Sequence, residues 1–227
     1  MNEVAHNLDR VREKIQAAAV HAGRKSEDVT LIAVSKTVEP ERLEAAVAAG
    51  QTLFGESRLQ EARAKIPLVS SRARWHMVGH LQTNKARDAV AMFELIHSVD
   101  SVKLAAELNK WAERSGKTQA ILLEVNASGE ASKFGLKPED LEAALGEINK
   151  LSRLEVQGLM TIAPFRDNLE EVRPCFRRLR EQRDRAGLRE LSMGMTHDFE
   201  IAIEEGATMV RLGSAIFGER QRHEPTE

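Results

Sequence analysis

Tyrosine is absent from this chain and cysteine occurs once, as Cys175, so no intrachain disulfide can form. A chain without disulfides fits a reducing compartment. Neither charge predominates: 33 basic and 35 acidic side chains leave a net charge of −2. That excludes the basic footprint of a nucleic-acid-binding domain and the polybasic anchor of a membrane-bound one. No apolar stretch reaches membrane-spanning length, and the opening MNEVAHNLDRVREK lacks the apolar core of a signal peptide. The expectation is a soluble cytoplasmic protein.

What is present is an alternation of short apolar runs and longer amphipathic segments over 227 residues. Such alternation predicts a parallel sheet wrapped by helices. A helix over residues 4–23 comes first, with Val4, Leu8, Val11, Ile15 and Ala18 at helical spacing. Strands are then predicted at Thr30–Ser35, Thr52–Phe54, Arg74–Val78, Leu95–Val99, Ala120–Val125, Val156–Ile162, around Leu191–Met193, and at Thr208–Leu212. Helices separate them. One has Pro40 in its first turn and Gly50 past its end; another opens at Ser57 with Gln60 in capping-box spacing. Eight such periods predict a closed (β/α)8 TIM-type barrel with an extra N-terminal helix. No linker divides the chain, so residues 1–227 read as one domain.

Barrels of this type carry their chemistry at the C-terminal ends of the strands. Lys36 ends the first strand. A lysine in a barrel mouth is pushed toward the neutral amine, a nucleophile that forms Schiff bases with aldehydes; a solvated strand-end lysine is the competing reading. Near the end of the chain, Ser192, Gly194 and Thr196 follow strand seven, and Arg211, Gly213 and Ser214 follow strand eight. Barrels often hold phosphate with these two loops, although both glycines can equally serve as tight-turn residues. An amine and a phosphate cradle on one rim suggest a phosphorylated aldehyde: pyridoxal 5′-phosphate (PLP) or a phosphosugar. With the former, Arg211 can face the pyridine nitrogen and keep it unprotonated, weakening the cofactor as an electron sink.

Other residues carry less. His76 and His80 straddle a strand end and lack the third ligand a zinc site needs. His197 reads as an exposed residue at a helix start, Cys175 as a passive thiol, and Trp75 and Trp111 as packing residues. Phe134 reads as a cover or a plug for the mouth. The run RPCFRRLREQRDRAGLRE, with acidic residues interleaved, reads as the solvated face of a helix.

The segments LIAVSKTVEPERLEAAVAAG, LFGESRLQEARAKI, RWHMVGHLQTNKAR, LIHSVDSVKLAAELNKWA, LLEVNASGEASKFGL, VQGLMTIAPF and LSMGMTHDFEIAIEEGATMVRLGSAIFGER span nearly the whole chain. Together they resemble the YggS/PROSC-type pyridoxal phosphate homeostasis proteins. The resemblance implies a barrel similar to the N-terminal domain of alanine racemase and a monomer. It implies PLP held as a Schiff base on Lys36, with phosphate contacts from Ser192, Gly194, Gly213 and Ser214, and with Arg211 near the pyridine nitrogen. It further implies a role in buffering or delivering PLP, with PLP-requiring apo-enzymes as partners, and no robust turnover. Two positions depart from the family pattern: Ser57 replaces an asparagine, and Thr196 replaces a serine, which keeps the hydroxyl.

A PLP-dependent amino-acid racemase is the rival enzyme reading. It needs a base on each face of the substrate carbon. In alanine racemases the second base is a tyrosine from another domain, and this chain has no tyrosine. A Schiff-base aldolase acting on a phosphosugar is a third reading.

Overall fold

The computed structural model describes residues 3–130 and 133–218, so residues 131 and 132 of the loop after strand five lie outside it. The eight expected strands form: β1 Thr30–Val34, β2 Leu53–Glu56, β3 Arg74–Met77, β4 Leu95–Val99, β5 Gln119–Glu124, β6 Leu154–Met160, β7 Glu190–Met195 and β8 Met209–Leu212. Each pairs in parallel with the next. β8 returns to β1, with Leu31 opposite Val210 and Ala33 opposite Leu212, and closes the barrel. Parallel neighbours need a crossover. The helices that supply it are α2 (Pro40–Ala48), α3 (Leu59–Lys65), α4 (Ala86–Met92), α5 (Val102–Arg114), α6 (Leu141–Ile148), α7 (Arg173–Arg185) and α8 (Phe199–Glu204).

The extra helix α1 (Glu3–His21) buries Val4, Leu8, Val11, Ile15 and Ala18, the five residues its periodicity selects, along with Ala19. It packs over α8, α2 and the short terminal helix α9 (Ser214–Phe217), the elements flanking the β8–β1 seam. Asn7 donates to Ile216 O at 3.1 Å and Arg24, in the turn after α1, to Ile203 O at 2.9 Å, which ties this region to α9 and α8.

Strand alternation divides the side chains between two apolar regions. Ala33, Phe54, Trp75, Met77, Ile96, Ile121, Leu123, Leu159, Leu191 and Val210 face the helices. Ile32, Leu53, Val78, Leu95, Leu122, Met160 and Met209 fill the barrel interior. The same inward phase takes His76 on β3, His97 on β4, Glu124 on β5, Ser192 on β7 and Arg211 on β8, all buried. The barrel interior therefore sets a cluster of buried polar groups against apolar side chains.

Some local expectations fail for identifiable reasons. β2 continues through Glu56, which carries Ser57 past the sheet edge; Arg58, with no side-chain cap, begins α3, and the Ser57–Gln60 capping box is not made. β6 lies two residues earlier than predicted because its ends follow those of β5, with Leu154 opposite Gln119 and Met160 opposite Glu124. The arginine-rich helix α7 is more than a solvated face. Arg173, Arg177 and Arg180 converge at 3.3, 2.9 and 3.1 Å on the buried Glu205 carboxylate at the end of α8.

Candidate functional site at the barrel mouth

The expected site residues lie at or just beyond the C-terminal ends of three adjacent strands, β1, β8 and β7. Lys36 lies two residues beyond Val34, in phase with the inward-facing Ile32 and Val34, at the mouth end of β1. It is half-buried and makes no hydrogen bond or ion pair with any described residue. Beside it, β8 delivers Arg211 and then Gly213, which packs against Val34 of β1. On the far side of β8, β7 delivers Ser192, Gly194 and, past its end, Thr196.

β7 is irregular between Ser192 and Met195. Gly194 absorbs the irregularity with φ +92, and a Cβ there would approach Ala202 Cβ to 2.6 Å and Phe199 Cα to 2.9 Å. Only glycine fits, because α8 packs directly on this turn. Asp198 holds the turn by accepting the Met195 N–H at 2.7 Å. Thr196 and Ser214 then line one cleft of about 360 Å³ with Arg10 and Lys14 of α1. Neither hydroxyl has a hydrogen-bond partner among the described residues.

Ser192 sits lower than the other rim residues. Fully buried, its hydroxyl accepts from Arg211 Nη1 at 2.5 Å and lies 2.8 Å from His97 Nδ1. His97 Nε2 is in turn 3.0 Å from His76 Nδ1. Arginine has donors only, so the arrangement that satisfies every group runs Arg211 to Ser192 to His97 to His76. Arg211 Nη2 also donates to Thr161 O at 2.9 Å. Burial holds His76 down at about 4, helped by the charge of Arg74. Burial, then His76 and Arg211, hold His97 well below the usual histidine range. Both rings are neutral at neutral pH. Burial lowers Arg211 to about 10, opposed by Glu124 and Asp198, so it stays charged.

Glu124 faces this cation from β5. It is 5% exposed, has no side-chain hydrogen bond to a described residue, and lines a cavity of about 150 Å³ with Asn126, Lys133, Phe134 and Thr161. Burial, and then the charge of Asp100, raise its carboxyl to about 7. Phe134 stacks on His80 at 3.8 Å and lies beside this cavity, as a cover would.

His76 and His80 do not share a site: one is in the interior and the other pairs with Asp100 at 3.4 Å. Among the described residues no cluster can hold a metal ion. His197 is exposed and stacks on Phe165 at 4.9 Å. Cys175 is buried, and burial raises its thiol, which fits a passive role. His97 and Glu124 went unselected in the sequence, yet their alternation with Leu95 and Leu122 carries the signal that they point inward.

Comparison with known proteins agrees with this fold. The family model for the alanine racemase N-terminal domain matches residues 5–221. A pyridoxal phosphate homeostasis protein of Aquifex aeolicus is 44% identical, over 94% of this chain and 97% of its own length. The structure of PipY from Synechococcus elongatus with PLP bound superposes with a TM-score of 0.84 at 36% identity, covering 95% of this chain and all of that one. Alanine racemase of Clostridium difficile, at 16% identity and a TM-score of 0.72, shares the fold, and the match covers 97% of this chain but 57% of the racemase. With a closed barrel, a lysine at the end of β1 and full-length relatives of this kind, the chain belongs to the alanine racemase N-terminal domain family and, within it, to the pyridoxal phosphate homeostasis proteins.

Proposed function

We propose that this chain binds PLP covalently through Lys36 and serves vitamin B6 homeostasis by buffering the cofactor or delivering it to PLP-requiring apo-enzymes. In this reading the whole chain acts as one domain and as a monomer in the cytoplasm. No helix among the described residues is long and apolar enough to cross a membrane. The observation that carries the reading is the set of donors without partners on neighbouring strands: the Lys36 amine on β1 and the Thr196 and Ser214 hydroxyls beyond β7 and β8. An aldehyde bearing a phosphate needs that donor set.

When bound, PLP supplies an aldehyde that condenses with a primary amine and a ring that can draw electrons from the adduct. Lys36 supplies the amine. Thr196, Ser214 and the backbone at Gly194 and Gly213 would hold the phosphate. Arg10 and Lys14, in the same cleft as the two hydroxyls, add positive charge. Arg211 offers donors only, so a ring nitrogen facing it stays unprotonated and the ring withdraws electrons weakly. Ser192 contributes by fixing Arg211 in place. That chemistry suits holding a cofactor better than turning over an amino acid.

Borohydride reduction of the PLP-treated protein, followed by peptide mass spectrometry, tests the assignment. The added mass is expected on the peptide containing Lys36 and is expected to vanish in Lys36→Ala. Protein that stays colourless with PLP, or a label on another side chain, would overturn it.

A further inference from the structure

Lys36 lies on a turn that the backbone does not favour. Val38 N–H donates to Ser35 O at 3.0 Å and closes a turn with Lys36 and Thr37 at its centre. Thr37 has φ +60, the only non-glycine residue in the left-handed region among those described. Glycine or asparagine is usual there, and a β-branched residue is disfavoured. Something outside the turn must hold it.

That support comes from Lys65, at the end of α3, with its side chain 11% exposed. Its ammonium donates to Ser35 O at 2.6 Å, to Glu56 Oε1 at 2.9 Å and to Glu61 Oε2 at 2.9 Å. Glu61 Oε2 also accepts the Thr37 N–H at 2.8 Å. Glu56, fully buried, accepts the Ser35 hydroxyl at 2.7 Å. The two peptide groups that flank Lys36 are thus gripped by one buried cation: the carbonyl before it directly, the N–H after it through Glu61. Lys36 itself remains without a partner.

We propose that Lys65, acting through Glu61 and Glu56, is the positioning residue for Lys36: it holds the strained turn so that the Lys36 amine faces an aldehyde bound at the mouth. The inference rests on the proposed covalent use of Lys36. The step it serves is balanced in itself: the neutral amine adds to the aldehyde carbon, a carbon–nitrogen double bond replaces the carbon–oxygen one, and water leaves. A misplaced amine weakens that step, since reacting groups must be held in near-attack geometry. Binding that does not use the amine is untouched.

The test compares PLP with pyridoxine 5′-phosphate, which has an alcohol in place of the aldehyde and cannot condense. Lys65→Met is expected to weaken PLP binding at least about tenfold and to leave pyridoxine 5′-phosphate within about twofold of wild type. Because Lys65→Met leaves buried Glu56 unpaired and can impair folding, the half-exposed side of the clamp provides a second variant. Glu61→Ala, which removes the acceptor for Thr37 N–H, should act in the same direction. Glu61→Gln keeps an acceptor there and should bind PLP as wild type does. Equal loss of both ligands in Glu61→Ala, or loss of neither, would overturn the proposal. A wild-type protein that takes no label on Lys36 would sink the covalent reading itself, and this one with it; a labelled wild type with indifferent variants would sink the clamp alone.

Discussion

Glu124→Gln should make the protein more stable in mild alkali and change nothing in acid. The Glu124 carboxyl rises from 4.5 to about 7 inside the barrel mouth, through burial and then Asp100. At about 1.4 kcal/mol per pH unit, that displacement corresponds to about 3 kcal/mol. A carboxyl whose folded value is raised favours the folded state below its unfolded value, and that contribution is lost as pH rises through about 7. At pH 8 the wild type therefore carries an ionised, unpartnered, buried carboxylate, and glutamine removes that cost. Wild type and variant should lie near parity at about pH 4.5 and differ by about 3 kcal/mol at about pH 8, in the variant's favour. His76 works in the opposite sense. Its folded value is depressed from 6.5 to about 4, so its contribution is present above 6.5 and lost as pH falls. In the wild type Glu124 opposes the slope of His76 and of His97, which burial also depresses, and Glu124→Gln exposes the histidine slope. Urea unfolding followed by the fluorescence of Trp75, which is 5% exposed, measures both proteins across the range. Carboxylates in ion pairs titrate equally in both proteins and cancel in the difference. A difference that does not vary with pH, or a variant less stable at pH 8, would refute the reasoning.

Two further outcomes follow from the same interior. Ser192→Ala leaves buried Arg211 and His97 each short of a partner, which costs about 2–5 kcal/mol together and lowers the urea midpoint by about 1–2 M; a midpoint unchanged from wild type would show that the chain of polar groups is not satisfied as described. Gly194→Ala forces a Cβ to 2.6 Å from Ala202 Cβ at φ +92, and a melting temperature lower by roughly 2–10 °C is expected; an unchanged melt would mean that the turn before α8 yields easily.

Periodicity alone determined much of this protein. Eight apolar runs between amphipathic segments require a parallel barrel, and the inward phase of β1 already puts Lys36 at its mouth. The paired glycine–hydroxyl segments after the last two strands mark the rim, because loop chemistry is local and legible in short stretches. What the sequence left open depends on groups far apart in the chain. His97 and Ser192 are 95 residues apart and Lys65 and Ser35 are 30, yet each pair meets in a hydrogen bond. The displaced β6 and the unmade Ser57 cap were likewise decided by where the neighbouring strands end, not by local propensity. Only closure of the barrel excludes water from its interior, and that exclusion neutralises the histidines and raises Glu124; the packing of α3 on β1 and β2 buries the ammonium that supports the turn carrying Lys36.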